Sequence, residues 1–181
     1  MLQASDIRPL RTAAPDYPEA ERLKAVIRDL RATRQPFFLT TADLEPIFRW
    51  KLTRQYGRSQ EARRGNTDSA YKAVTSAAFT VCEVDSDYEA ELRLRILSSL
   101  RGIGVPVASA ILALVEPDRY CVIDFRGWRT LFHKDRHAFD VAQYNRYRAQ
   151  IRRLADELSW PVQEADLAIW EYDRRAHLHA V

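Results

Sequence analysis

The chain has 181 residues, of which 46% are hydrophobic and 29% are charged, and it carries a net charge of +3 with an isoelectric point near 9.0. This length and composition fit one small globular domain, and they exclude a solenoid of short repeats and a disulfide-rich scaffold. No apolar run approaches a membrane span, and the N-terminus lacks the apolar core of a signal peptide, so we expect a soluble, cytoplasmic or otherwise intracellular protein without membrane contact.

Apolar residues recur at helical spacing along most of the chain, and no stretch alternates as a strand would, so we predict an all-α fold. Residues 1–16 contain several prolines and are predicted to form an N-terminal arm, followed by a single domain at 17–181. Helices are predicted at 17–34, 43–57, 67–81, 87–100, 105–115, 125–133, 140–158 and 162–176, with caps at Asp43, Asn66 or Thr67, Ser86, Asp124 and Asp140.

A basic segment covers residues 49–64 and continues into the one long polar connection, 53–66. Its cations are Arg49, Lys51, Arg54, Arg58, Arg63 and Arg64, and they are interleaved with Trp50 and Tyr56. Arginines with aromatic neighbours suit nucleic-acid backbones and base stacking, whereas a solvated helix face is the simpler interpretation. The candidates for base stacking have the same ambiguity, because large aromatic residues at helical spacing usually belong to a core; they are Trp50, Tyr56, Tyr71 and Trp128.

Two glycines separate the helices predicted on either side of residue 102. A capping box at Ser86–Glu89 would start the first helix, Gly102 and Gly104 would end it, and Pro106 suits the first turn of the second helix. Free N–H groups at such a helix start can bind an anion. A helix corner without any ligand has the same pattern.

A single carboxylate, Asp124, follows the short apolar run Tyr120–Ile123 and precedes another predicted helix. It is placed to cap that helix, and capping alone would explain it. Capping and catalysis are compatible, however, because a cap fixes the side-chain rotamer that a catalytic carboxylate needs.

The stretch from Leu100 to Leu131 resembles the helix-hairpin-helix glycosylases of base-excision DNA repair, the superfamily of endonuclease III and the adenine glycosylases. The hairpin is Leu100-Arg101-Gly102-Ile103-Gly104, the loop is Glu116-Pro117-Asp118, and the matching aspartate is Asp124. Arg129 matches a basic residue often found one turn later. The resemblance implies a compact multi-helix domain that contains a helix-hairpin-helix motif and a cleft between two helical halves.

The resemblance also implies the roles of individual residues. Asp124 would be catalytic, and DNA would be contacted by Arg101, Gly102, Ile103, Gly104, Val107, Arg126 and Arg129, together with Arg54 and Arg58 of the basic segment. Pro106 occupies the position of the hairpin lysine that lyase members carry, so base excision would proceed without AP-lyase activity. Because Pro106 has no N–H, the phosphate would rest on the amides of Gly102, Gly104 and Val107.

Few residues point to a cofactor. Cys82 and Cys121 lie in apolar runs and are expected to be buried reduced thiols, too few for the iron–sulfur cluster of some relatives. The histidines have no metal-ligand spacing, so no metal site is predicted, although hairpin carbonyls of the family can coordinate a monovalent cation.

Three functions fit these observations. The first is a monofunctional DNA N-glycosylase, a hydrolase that excises a modified base while Asp124 stabilises the sugar cation or activates water. The second is a non-catalytic helix-hairpin-helix module that binds DNA. The third is a helical protein in which the hairpin and the cap are only structural. We expect a monomer with DNA as its partner, and the position of Asp124 relative to a basic cleft should discriminate among the three.

Overall fold

Helices form all the regular secondary structure of the computed structural model, which describes residues 2–178 and contains no strand in that range. The prediction of an all-α fold is therefore confirmed. None of the described helices is long and apolar enough to cross a membrane. The helices are α1 (Ala4–Ile7), α2 (Tyr17–Thr33), α3 (Thr41–Leu52), α4 (Gln60–Arg64), α5 (Asp68–Thr80), α6 (Ser86–Leu97), α7 (Val105–Val115), α8 (Phe125–Phe132), α9 (Val141–Leu158) and α10 (Val162–Ala176), with 3-10 turns at Arg8–Leu10 and Thr53–Ser59.

The core is built around α7, in which every residue from Val107 to Val115 is buried. Helices α2, α3 and α6 pack against it. The small side chains of Ala108, Ala110 and Ala113 have no exposed surface, and they allow the neighbouring helices to approach closely. The N-terminus of α7 is therefore held in a fixed position relative to α3.

A second group of helices places the C-terminal part of the chain. Helix α10 packs against α8 and α9, and it also contacts α1 and the 3-10 turn that follows α1. The N-terminal residues, expected to be an arm, thus lie on the core. Four of their apolar side chains are buried: Leu2, Ile7, Leu10 and Ala14.

Most predicted helices form within a few residues of their expected bounds, but the helix predicted at 43–57 is shorter. Helix α3 ends at Leu52, because Thr53 adopts a φ of 41°, which a right-handed helix cannot continue. The polar connection at 53–66 then contains the 3-10 turn and α4. Residues 53–66 are mostly polar and contain no proline, so the sequence does not predict that the helix ends at Leu52.

The predicted helix caps are confirmed at Thr67, Asp124 and Asp140. At the start of α3 the cap is Thr40, with Asp43 completing the capping box three residues later. The predicted cap at Ser86 is wrong, since the Asp85 carboxylate accepts hydrogen bonds from the next two amides after Ser86. Aspartate and serine cap equally well, so sequence alone does not decide between adjacent candidates.

The two cysteines are free thiols. Cys121 is completely buried, and burial raises the pKa of its thiol well above the ordinary value. Cys82 is exposed, contrary to the expectation of burial, because α5 ends at Thr80 and the apolar run continues beyond the helix into a loop.

Candidate functional site

Asp124 is the N-terminal cap of α8, and its Oδ1 accepts a hydrogen bond of 2.9 Å from the backbone N–H of Gly127. The residues before it are held from both sides. The N–H of Val122 donates to Asp166 at 2.7 Å, and that of Ile123 donates to the Ser109 hydroxyl at 3.2 Å. Although its backbone is fixed, the Asp124 side chain remains 21% exposed and reaches a pocket.

This Asp124 pocket has a volume of about 700 Å³. It is lined by residues of α3, the basic segment, the start of α7, the start of α8 and α10. Its aromatic walls are Trp50, Phe125, Phe139 and Trp170, and its cationic side chains are Lys51, Arg54, Arg58 and Arg126. The fold therefore brings the predicted catalytic aspartate together with three of the arginines predicted to bind DNA.

Only one of the four predicted stacking residues, Trp50, lines the Asp124 pocket. Tyr71 and Trp128 are buried in the core, as the simpler interpretation of large aromatic residues expects. Tyr56 lies outside the pocket lining and packs against the guanidinium groups of Arg49 and Arg63.

Two further carboxylates, Asp16 and Asp166, line the same pocket. Asp166 is fully buried, which raises its pKa to about 7, although it accepts hydrogen bonds from the Tyr147 hydroxyl and the Val122 amide. Burial also raises the pKa of Asp16, whose Oδ1 has no hydrogen-bond partner among residues 2–178. The pocket thus contains two carboxylates whose pKa is raised by burial, Asp16 and Asp166, besides the partly exposed Asp124.

Sequence reasoning missed Lys51 and Asp166 as pocket residues, although a signal was present. Lys51 comes seven, four and three residues after Leu44, Ile47 and Phe48, which form the buried stripe of α3. A lysine at the next position of an apolar helical stripe is unusual and indicates a buried charge with a partner. Asp166 lies in the same way on the buried face of α10.

The glycine turn between α6 and α7 packs against the basic segment. Gly102 has a φ of +74°, and a Cβ atom built there would lie 2.9 Å from Cγ of Arg63 and 3.0 Å from the Ser59 carbonyl oxygen. The side-chain amide of Asn66 bonds both the N–H and the carbonyl of Arg101, each at 2.9 Å. These contacts join the turn and the segment into one surface, with the Arg101 side chain exposed.

The backbone amides of this turn differ in their availability. The buried residues Ile103 and Val107 donate their N–H groups to the carbonyls of Leu100 at 3.2 Å and Gly104 at 3.0 Å. The amides of Gly102, Gly104 and Val105 have no partner within the described part of the chain. The expected phosphate donor Val107 is engaged because the first turn of α7 closes on Gly104, and Val105 is free instead.

The cations of the basic segment separate into structural and exposed groups. Arg63 is buried against the rings of Phe48 and Tyr56 and donates to the Tyr56 carbonyl at 2.8 Å, while Arg49 pairs with Glu45. Three arginines are exposed and form no ion pair with any residue from 2 to 178: Arg54, Arg58 and Arg64. These three supply the uncompensated positive charge beside the turn.

Arg126 and Arg129 are bound to a common carboxylate, Asp173 of α10. Arg129 donates through Nε at 2.9 Å and Nη2 at 2.7 Å, and Arg126 donates through Nη1 at 3.2 Å. Arg126 still lines the Asp124 pocket, whereas Arg129 lines a second pocket of about 450 Å³ between α8 and α10. Asp173 therefore compensates one of these two positive charges, and the exposed Asp135 lies 3.8 Å from Nη1 of Arg129.

No group of three or more His, Cys, Asp or Glu side chains within residues 2–178 could hold a metal ion. In the glycine turn the carbonyls of Leu100, Arg101 and Gly104 accept hydrogen bonds, whereas those of Gly102 and Ile103 accept none from residues 2–178. A monovalent cation at the hairpin stays a prediction.

No protein-family model, curated protein or solved structure matches this chain.

Proposed function

We propose that this protein is a monofunctional DNA N-glycosylase in which Asp124 is the catalytic residue. One observation carries the proposal: Asp124 is fixed as a helix cap and yet opens into a pocket of about 700 Å³ whose rim holds exposed, unpaired arginines. A carboxylate that served only as a cap would need neither the pocket nor the positive rim. We also propose that the glycine turn between α6 and α7 is a helix-hairpin-helix motif, and that the Asp124 pocket corresponds to the cleft of the glycosylases.

DNA would bind along the surface formed by the glycine turn and the basic segment. The free amides of Gly102, Gly104 and Val105 lie at the N-terminus of α7, where the helix dipole also favours a phosphate. Arg54 and Arg58 at the pocket rim would neutralise neighbouring phosphates. The pocket would then lie beside the bound backbone, where an extruded nucleotide would enter.

The pocket is large enough for a base that has left the helical stack, and its aromatic walls offer stacking surfaces such as Trp50 and Trp170. As the bond between C1′ and the base nitrogen breaks, the base departs with the electron pair and positive charge develops on the sugar. The Asp124 carboxylate stabilises that charge. Water then adds to C1′ and loses a proton to Asp124. This proton passes on to the departed base, which leaves an abasic site, the neutral free base and an ionised Asp124.

The test is excision from a panel of oligonucleotides that each contain one modified base, in single- and double-stranded form. We expect release of at least one modified base, with strand breakage only after alkali and no covalent adduct after borohydride. The same oligonucleotides with unmodified bases are the control. If no base in the panel is released while the protein binds the DNA, the enzymatic proposal fails.

A non-catalytic DNA-binding module is the second candidate, and the exposed arginines favour it as much as they favour an enzyme. This candidate requires binding without excision of any base. It also requires that the replacement of Asp124 change nothing but affinity.

A further inference from the structure

Lys51 is a buried cation on the apolar face of α3, where its side chain is only 10% exposed. An ammonium group is costly to bury unless charges and hydrogen bonds compensate it. An uncharged residue would pack at this position with less cost, so the presence of a lysine requires an explanation.

The Lys51 ammonium contacts the residues that carry the proposed chemistry. Its Nζ donates a hydrogen bond of 3.2 Å to the carbonyl of Ile123, the residue directly before Asp124, and lies 4.0 Å from Oδ2 of Asp124. Among residues 2–178, no other cation lies within 4.0 Å of that carboxylate. The Lys51 side chain therefore contacts both the backbone directly before Asp124 and the Asp124 carboxylate.

Lys51 also acts on the other carboxylates of the pocket. Its positive charge lowers the pKa of Asp16 and of Asp166, while burial and the charge of Asp124 raise both. The remaining charged or titratable groups that face this cluster come from five other places: Arg54 and Arg58 of the basic segment, Arg126 of α8 with its partner Asp173, His137 of the α8–α9 loop, Tyr147 of α9 and Glu171 of α10.

We propose that Lys51 is a positioning residue for base excision, which anchors the Ile123 carbonyl and holds a positive charge 4.0 Å from Oδ2 of Asp124 among the neighbouring carboxylates. This inference rests on the proposed function. Lys51 does not act as a nucleophile in this inference, because its Nζ is engaged by the Ile123 carbonyl. The monofunctional reaction therefore stays intact.

The first experiment measures single-turnover excision against pH in the wild-type protein, Lys51→Met and Lys51→Arg. Lys51→Met should slow excision by about 10- to 100-fold, and the acidic limb of its pH–rate profile should move to higher pH, because a positive charge 4.0 Å from the Asp124 carboxylate is removed. DNA affinity should change less than about threefold, since Lys51 does not face phosphates. Lys51→Arg keeps the charge and should retain the wild-type pH profile.

The matched control is Lys72→Met, which removes a half-exposed lysine that pairs with Asp68 away from the pocket. It should leave rate and profile unchanged. A Lys51→Met protein with the wild-type pH profile would overturn the inference. A borohydride adduct that requires Lys51 would also overturn it, since the lysine would then be a nucleophile.

The second experiment needs no substrate, so it separates failure of this inference from failure of the proposed function. The carboxyl carbon of Asp166 is titrated by NMR in the wild-type protein, Lys51→Met and Lys51→Arg, where the wild-type pKa should be about 7. Removal of the lysine charge should raise the pKa of Asp166, and arginine should restore it. An unchanged Asp166 titration in Lys51→Met would show that Lys51 does not control the charges of the pocket.

Discussion

Replacing Asp124 by asparagine or by alanine separates the capping role of this residue from its proposed catalytic role. In the structure, Oδ1 caps α8 through the 2.9 Å bond from Gly127, while the negative charge faces the pocket. Asparagine keeps an oxygen that can accept the capping bond and removes the charge. Alanine removes both.

The expected magnitudes differ for stability and for rate. Asparagine caps helices as well as aspartate does, so Asp124→Asn should change the free energy of unfolding by less than about 1 kcal/mol, including a weakened interaction with Lys51. Asp124→Ala should cost about 1–2 kcal/mol through the lost cap. Both variants should lose a factor of at least about 100 in excision rate, as is typical when a preorganised electrostatic group is removed.

Urea unfolding followed by circular dichroism measures the first quantity, and single-turnover excision measures the second. DNA affinity should hold or rise in both variants, because one negative charge near phosphates is lost. The catalytic assignment is wrong if Asp124→Asn excises at the wild-type rate. If activity instead follows stability, with asparagine active and alanine inactive, Asp124 is only a cap.

Gly102→Ala should lower the free energy of unfolding in urea by about 2–4 kcal/mol, because φ is +74° and the new Cβ would lie 3.0 Å from a carbonyl oxygen. Gly104→Ala should lower it by less than about 1 kcal/mol, because the nearest atom to the new Cβ is 3.8 Å away. Equal costs would contradict the geometry of the turn. The pKa of Asp166 rises from 3.8 to about 7 on folding, so the folded protein binds the extra proton and this contribution to stability is lost as pH increases through that range. Asp166→Asn should flatten the dependence of the free energy of unfolding on pH, measured by unfolding at several pH values. An unchanged pH dependence would refute the raised pKa of Asp166. Replacing Arg54 and Arg58 together by alanine should reduce the slope of log affinity against log salt by about two, and an unaltered slope would remove both from the DNA interface.

The all-α fold and most helix positions could be predicted because apolar periodicity and capping residues are local features of the sequence. The start of α6 shows the limit of local reasoning. Glu89, expected to complete a capping box, is instead buried, where it accepts hydrogen bonds from the Glu83 amide and the Tyr120 hydroxyl. Glu89 takes part in a tertiary hydrogen-bond network, and a capping motif that spans only four residues of sequence cannot predict such distant partners.

The candidate site was predictable only in part for the same reason. Asp124 and its cap could be identified from neighbouring residues, whereas the pairing of Arg126 and Arg129 with Asp173 joins residues on different helices. Whether an arginine in a basic stretch is free for a ligand depends on such distant carboxylates. The position of Lys51 in the apolar stripe of α3 indicates its burial, but this can be recognised only once the bounds of the helix are known.

The contact between Asn66 and Arg101 has a consequence for the thermodynamics of the proposed DNA binding. Both hydrogen bonds join the neutral side-chain amide of Asn66 to the neutral backbone of Arg101, so salt that screens the exposed arginines leaves the contact between the turn and the basic segment intact. The arginines are thus mounted on an already ordered frame, and association does not have to supply the entropy of folding that frame. The heat-capacity change of binding should therefore be small and match the surface area buried, without the large negative contribution of a segment that folds on its ligand.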